Sequence, residues 1–367
     1  MEKKVKVAVV GLGFGAEFVP IYQDYEFAEC YAVCRRNEEK LNAFADEFQI
    51  PKRYTDFEKL LEDPEIDAVH INTEIADHAS MAIKALKAGK HVACTVPMAL
   101  TVEECAEIVK LERETGKVYM MMETSVFTRE YLYVQQMRDQ GELGRIQFVR
   151  GSHQQNMGLP GWPSYWYGFP PMYYGTHAIA PVADMVGKRI QSVRCYGSGR
   201  IREDYIPQYN SPFAAESTQL TFEDSDVVAE VTRSLFDTIR QYRESFDVYG
   251  SQSSFEWEQI AGEHPVIYTG YEDARRVEVP DTDSMLPKEI AKYSLRNQII
   301  DDQHVSFIQG DGHGGSHPHL VKEFISAILE NRPARVSAAV AANWTAAGIL
   351  SHHSAMNHGE KIEVPEF

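Results

Sequence analysis

Short apolar runs alternate with amphipathic stretches over the first third of the chain. Residues 5–10 (VKVAVV), 28–34 (AECYAVC), 67–72 (DAVHIN), 91–95 (HVACT) and 117–122 (KVYMMM) predict five short strands, the apolar ones buried on both faces. Helix-compatible segments with start and stop signals lie between them. One is expected to begin near Glu17, with Pro20 in its first turn. Asn37 is placed to cap a helix reaching Phe48, and Thr55-Asp56 to cap another over 57–62. A helix over 77–88 stops at Gly89, and Thr101-x-x-Glu104 forms a capping box for a helix to about Thr115. Strands and helices alternating at this spacing give parallel β-α units with right-handed crossovers.

The pattern changes after about residue 125. One helix is expected over 129–140. Runs rich in β-branched and aromatic residues follow at 146–150, 190–197, 216–223, 227–236, 245–250, 253–258 and 276–279, separated by turn residues. They predict a mostly antiparallel sheet. Residues 318–330 and 337–357 read as helices again.

Gly11, Gly13 and Ala16 form G-x-G-x-x-A directly between the first strand and the first helix. Gly11 would permit the tight turn and Gly13 a close backbone approach to a pyrophosphate. Ala16 would keep the helix near the strand, and the helix N-terminus faces the phosphate charge. Phe14 and Gly15 belong to the same loop. The second strand of such a site usually ends in an acid for the ribose 2′-hydroxyl. Here the chain reads Cys34-Arg35-Arg36-Asn37. Two guanidiniums can hold a 2′-phosphate, so the expected cofactor is NAD(P) with a lean to NADP. Solvated arginines, or arginines stacked on adenine, are the other readings.

The expected fold class is therefore α/β: a Rossmann, doubly wound parallel sheet followed by an α+β domain with a large, mostly antiparallel sheet. The expected domains are 1–125, binding the cofactor, and 126–335, of α+β type. Residues 336–367 are expected to form a C-terminal helix and tail packing back on the first domain.

Composition narrows the partners. The 36 Lys and Arg against 54 Asp and Glu leave a formal charge of −18. That disfavours a nucleic-acid binder, which needs a basic face to displace counterions, and a polybasic membrane-surface protein. Five cysteines with no C-x-x-C fit neither a disulfide scaffold nor a four-cysteine zinc site, and a cytoplasmic location is expected. No signal-peptide pattern or membrane-length apolar run is read.

Several motifs together resemble the glucose–fructose oxidoreductase / inositol dehydrogenase (Gfo/Idh/MocA) family over nearly the whole chain. Beyond the glycine loop these are Thr73-Glu74-Ile75-Ala76-Asp77-His78, Gly89-Lys90-His91-Val92, Pro97-Met98-Ala99 and Gly141-Glu142-Leu143-Gly144-Arg145-Ile146. The resemblance implies a nicotinamide cofactor between a Rossmann domain and a sheet domain, a sugar or polyol substrate, and an open sheet face used for a homodimer or homotetramer. It thereby assigns residues 126–335 to substrate and oligomerisation. With it, Thr73, His78, Thr95, Pro97 and Glu123 join the cofactor-contacting candidates, Glu123 being equally suited to a pocket acid or a buried partner. Two departures stand out. The family's Glu-Lys-Pro is Thr95-Val96-Pro97, without the lysine. Its acid four residues before a catalytic histidine is Tyr173, while the histidine itself is His177. With Tyr174-Gly175-Thr176-His177, the chain is similar to a subgroup of NAD-dependent glycosidases and oxidoreductases that make 3-keto-glycosides.

A hydride transfer from a carbinol needs a base for the hydroxyl proton. His177 suits that role, with Tyr173 or Tyr174 as a second donor. The aromatic segment with Trp162 and Trp166 suits the apolar face of a pyranose or, alternatively, packing. His153 is a polar contact candidate or a solvent-facing strand end. His313, His317 and His319, in a Gly-rich string, are candidates for substrate contact, a metal site or helix capping. Carboxylates at convincing spacing are missing there, and no metal is expected. Three functions stay open: a sugar or glycoside dehydrogenase, a redox-assisted glycosidase retaining its NAD, and a non-catalytic cofactor-binding regulator.

Overall fold

The computed structural model describes residues 4–238, 240, 242–260, 262–296 and 311–367. Two units divide the chain: Met1–Thr128 with Asp281–Ala342, and Arg129–Pro280 with Asn343–Phe367.

The first unit is built on six parallel strands: β1 (Val5–Val10), β2 (Ala28–Cys34), β3 (Lys52–Tyr54), β4 (Ala68–Ile71), β5 (His91–Cys94) and β6 (Tyr119–Met121). Their order, β3-β2-β1-β4-β5-β6, is that of dinucleotide-binding sheets. The capping signals act as their chemistry dictates. Asn37 Oδ1 accepts from the Lys40 N–H (2.9 Å) and Asp56 Oδ1 from the Glu58 N–H (2.8 Å). Thr101 and Glu104 cap reciprocally at 3.1 and 3.2 Å. Two details differ from expectation. The stretch after β1 opens as a 3-10 turn, Phe14–Phe18, and continues as an α-helix over Val19–Asp24. The edge strand β3 has no apolar run to announce it, because its residues Lys-Arg-Tyr are half-buried or exposed.

The second unit carries a nine-stranded sheet. Its strands are β7 (Ile146–Gln155), β8 (Ile190–Ser198), β9 (Ala215–Phe222), β10 (Val228–Ser234), β11 (Tyr242–Gly250), β12 (Ser254–Glu256), β13 (Val266–Tyr268), β14 (Ala274–Arg276) and β15 (Ile362–Glu363). The order is β14-β13-β12-β11-β7-β10-β9-β8-β15. All neighbours are antiparallel except β7 and β10. The helix Thr176–Val186 lies against β7, β10 and β11. Sequence periodicity missed it. It contains Pro181, and every residue from Thr176 to Ala183 is buried, so no polar face marks its period.

Gly151 on β7 is the close-approach point for that helix: a Cβ there would lie 2.1 Å from the Ala178 carbonyl oxygen. Gly151→Ala is expected to destabilise the protein by about 1–3 kcal/mol, read as a lowered thermal midpoint. An unchanged midpoint would show that the helix can lift without cost.

Two boundary expectations are corrected. Residues 281–342 join the first unit, where helix His317–Leu329 buries Leu320, Val321, Phe324 and Ile325. Of the residues 336–367 expected on the first domain, 343–367 group with the second unit. β15 extends the nine-stranded sheet by pairing with β8. The Asn343 side chain hydrogen-bonds both backbone groups of Ile190 (2.9 and 3.0 Å), and Ser351 Oγ meets Thr218 Oγ1 at 3.0 Å. The helix Ala338–Met356 is rich in alanine on all sides, so its pattern could not reveal which surface it covers. No described helix is long and apolar enough to cross a membrane.

Candidate active site

The glycine loop divides its labour. Gly11 has φ +86°, and a Cβ there would meet the Asn72 carbonyl oxygen at 2.5 Å. A Cβ on Gly15 would touch Asn72 Nδ2 and Val9 Cγ1 at 3.0 Å. These two set the turn and its packing. Gly13 is exposed, with nothing within 4 Å of an added Cβ. That open, side-chain-free backbone fits the pyrophosphate of a dinucleotide. Ala16 is buried beneath it. At the end of β2, Arg35 is half-buried and Arg36 exposed, with no ion pair for either among the described residues.

The loops after β4 and β5 are tied by His78. Its Nδ1 lies 2.8 Å from the Pro97 carbonyl oxygen, and its Nε2 3.1 Å from that of Thr73 and 3.4 Å from Thr95 Oγ1. The ring is buried and both nitrogens are engaged with protein. Its place is to hold Thr73, Thr95 and Pro97 together, and both threonines are half-buried. Glu123 is fully buried, and its Oε1 accepts from the Ser125 N–H at 3.0 Å, capping the turn Thr124–Val126.

The Gly-rich histidine string also lies in the first unit, not with the sheet domain. Glu17 Oε2 is 3.1 Å from His317 Nδ1, and His317 Nε2 is 3.1 Å from His313 Nδ1. Phe14 sets its ring edge-on to both histidines, at 5.5 Å each. This chain therefore borders the glycine loop. His319 is elsewhere: its Nε2 bonds Thr282 Oγ1 at 2.7 Å, and burial pushes it down to about 4.

Burial pushes the Glu17 carboxyl up to about 8 and His317 well below its ordinary value. The folded protein keeps the Glu17 proton that the unfolded chain releases near 4.5, so this contribution is lost as pH rises from 4.5 to about 8. His317 acts oppositely and only below 6.5, where the unfolded imidazole charges. Net stability is expected to fall between pH 6.5 and 8, and Glu17→Gln to flatten that fall in denaturant titrations. An unchanged slope in the variant would contradict the assignment.

The second unit forms a separate cluster by strand register, with His153, His177 and Arg233 buried in it. On β7, His153 stands opposite Glu244 of β11 on one side and Arg233 of β10 on the other. Paired positions share a face of the sheet, and that face is covered by the helix whose second residue is His177. Glu244 Oε1 lies 3.8 Å from His177 Nδ1 and 3.8 Å from His153 Nε2, and accepts from the Tyr242 hydroxyl at 2.7 Å. His177 Nε2 faces the Tyr174 hydroxyl at 3.4 Å.

Arg233 is fully buried. It donates to the carbonyl oxygens of Tyr174 (2.9 Å), His153 (3.2 Å) and Ser234 (2.8 Å) and to Gln155 Oε1 (3.1 Å). Burial pushes the guanidinium down to about 10, still cationic at neutral pH.

The other aromatic candidates separate. Trp166 packs on Tyr174 at 4.9 Å and on Phe169 at 5.3 Å, while Trp162 is half-buried and edge-on to Trp166 at 6.4 Å. Tyr173 turns away: its hydroxyl is 3.2 Å from His353 Nε2, and its ring is edge-on to His352. Sequence reasoning missed Glu17, Arg233, Tyr242 and Glu244. Strand register places Arg233, Tyr242 and Glu244 in one cluster, and helix packing sets Glu17 beside His317 in the other unit, so no single segment announces them.

Two triads, Glu17 with His313 and His317, and His153 with His177 and Glu244, each place three donor atoms within 4.8 Å of one another. The first is already a hydrogen-bonded chain using both nitrogens of His317. The second has the buried Arg233 charge beside it, which opposes a divalent ion.

Residues 5–123 match the family model described as an oxidoreductase family with an NAD-binding Rossmann fold, and residues 131–256 match the GFO/IDH/MocA C-terminal domain. The chain belongs to the GFO/IDH/MocA oxidoreductase family. An alpha-N-acetylgalactosaminidase from Shewanella oneidensis is 25% identical over 399 residues, covering 99% of this chain and 85% of that protein. Among solved structures, levoglucosan dehydrogenase in complex with NADH superposes with a TM-score of 0.82 at 20% identity, covering all of both chains. An oxidoreductase from Agrobacterium radiobacter, in complex with NAD+, L-tartaric acid and magnesium, gives 0.81 at 16% identity over 99% of each chain. Residues 5–123, which include the glycine loop, are thus the family's NAD-binding Rossmann domain, and residues 131–256 of the second unit its C-terminal domain.

Proposed function

We propose that this chain is an NAD(P)-dependent oxidoreductase transferring hydride between a ring hydroxyl of a sugar or glycoside and nicotinamide, forming or reducing a keto-sugar. The observation carrying this reading is the buried His177 beside the half-buried Tyr174 and Glu244, in a chain whose other unit has an open glycine loop. A bound nicotinamide would supply the hydride acceptor. The chain's own groups deal with the proton. His177 Nε2 accepts it from the carbinol, and Tyr174, within 3.4 Å of that nitrogen, orients the hydroxyl. Val96, where the family has lysine, can do neither. Trp162, half-buried against Trp166, would offer an apolar face to the sugar, and His153 a polar contact. The glycine loop with Phe14, and Thr73 and Thr95, would hold the dinucleotide.

A sugar substrate is supported by the relatives: one is a levoglucosan dehydrogenase and another an alpha-N-acetylgalactosaminidase. The second relative also favours an alternative, a glycosidase that retains NAD and leaves it unchanged after each turnover. Incubation with NAD or NADP and levoglucosan, methyl β-D-glucopyranoside or p-nitrophenyl N-acetyl-α-D-galactosaminide separates the two. Accumulating reduced cofactor supports the dehydrogenase. Release of p-nitrophenol without net reduction would replace it with the glycosidase.

Arg35 and Arg36, without an ion pair among the described residues, favour NADP. Arg36→Asp is expected to lower the ratio of kcat/KM for NADP over NAD by about tenfold, the loss of one charge-assisted contact. An unchanged ratio would remove the 2′-phosphate argument. A homodimer or homotetramer through the sheet face is part of the proposal, since Tyr196, Val228 and Tyr268 are exposed on its strands. Sedimentation velocity checks it. The five buried, unpaired cysteines suit a reducing cytoplasm.

A further inference from the structure

A histidine that accepts a proton at Nε2 needs its ring proton fixed on Nδ1. Tyr173, one helical turn before His177, faces His353 instead. The carboxylate comes from across the sheet. Glu244 Oε1 is 3.8 Å from His177 Nδ1, wider than a formed hydrogen bond but of the kind that tightens when substrate binds. Tyr242 donates to that same oxygen at 2.7 Å and fixes its direction.

The charged and titratable groups around the pair are His153 from β7, Arg233 from β10, Tyr242 from β11 itself and Tyr174 from the turn before the helix. Arg233 spends its donors on carbonyl oxygens and Gln155. It balances the Glu244 charge through space without occupying the carboxylate.

We propose that Glu244 is the positioning residue for His177, holding its Nδ1–H and stabilising the imidazolium formed during turnover. The inference rests on the reading of His177 as proton acceptor. In the forward step the carbinol O–H proton passes to His177 Nε2. A bound oxidised nicotinamide would take the carbon's hydride with its electron pair, and the former O–H pair would complete the C=O bond. His177 then carries a full positive charge facing the Glu244 carboxylate. His153, equally near that oxygen, is a second place where the charge can be shared.

The test uses the full chain labelled with 15N-histidine, as wild type, Glu244→Gln and Glu244→Asp. Losing the carboxylate disfavours imidazolium, so the His177 titration midpoint is expected to move down by about one pH unit in Glu244→Gln. It should recover at least in part in Glu244→Asp. With NAD and levoglucosan as probe, kcat should fall about a hundredfold in Glu244→Gln with KM changed far less. An unchanged His177 titration in folded Glu244→Gln overturns the proposal. One equivalent of Zn2+ bound by the wild type and lost in that variant also overturns it, making Glu244 a metal ligand. Full turnover by His177→Ala would instead defeat the functional reading, while leaving the spectroscopic result to stand on its own.

Discussion

His177→Ala is expected to lower kcat by about 10²–10⁴ while KM changes little, because a positioned general base contributes that much to the transition state. The ring is buried, edge-on to Tyr174 at 5.3 Å and to His153 at 5.1 Å. Its removal therefore leaves a cavity, and thermal midpoints must be compared alongside rates. His177→Asn keeps a polar group in the space and removes the basic nitrogen. It should be as inactive as the alanine variant, with a smaller loss of stability. A variant that melts earlier but turns over normally would show that His177 only fills the core.

The second large effect separates shape from binding within one loop. Gly13→Val is expected to weaken dinucleotide binding by about a hundredfold or more, about 2.8 kcal/mol. The added atoms enter the space a pyrophosphate would use, and they meet no protein within 4 Å of Cβ. Gly13 has φ −76°, so the substitution carries no left-handed strain. Gly11→Ala should do the reverse in emphasis. Its φ of +86° and the 2.5 Å approach to the Asn72 carbonyl predict a stability loss of about 1–3 kcal/mol. Isothermal titration with NAD and NADP, paired with thermal melts, reads both. Equal binding by Gly13→Val and wild type would mean that the dinucleotide does not lie on this backbone.

The first unit was largely legible because its signals are local. Caps at Asn37, Asp56 and Thr101, the stop at Gly89 and the glycine loop each act within a few residues. The second unit's cluster is non-local. His153, Arg233 and Glu244 are neighbours only because β7 lies between β10 and β11, a register that no single segment encodes. His177 was legible through its resemblance to a family motif, whereas its helix was hidden by uniform burial. Chain path was the other blind spot. Two crossings between units, near residues 281 and 342, occur without a glycine- or proline-rich linker to mark them. The histidine string was read as one group. The structure puts His313 and His317 on Glu17 and sends His319 to Thr282.

The central claim is hydride transfer from a sugar ring carbon, with the proton taken by the His177 cluster. A single-turnover reaction of the purified chain with NAD and ring-deuterated levoglucosan, analysed by mass spectrometry, tests it most directly. One deuterium is expected in each reduced nicotinamide, and one keto-sugar for each cofactor reduced. Turnover with the deuterium returned to the sugar and the cofactor left oxidised would contradict it.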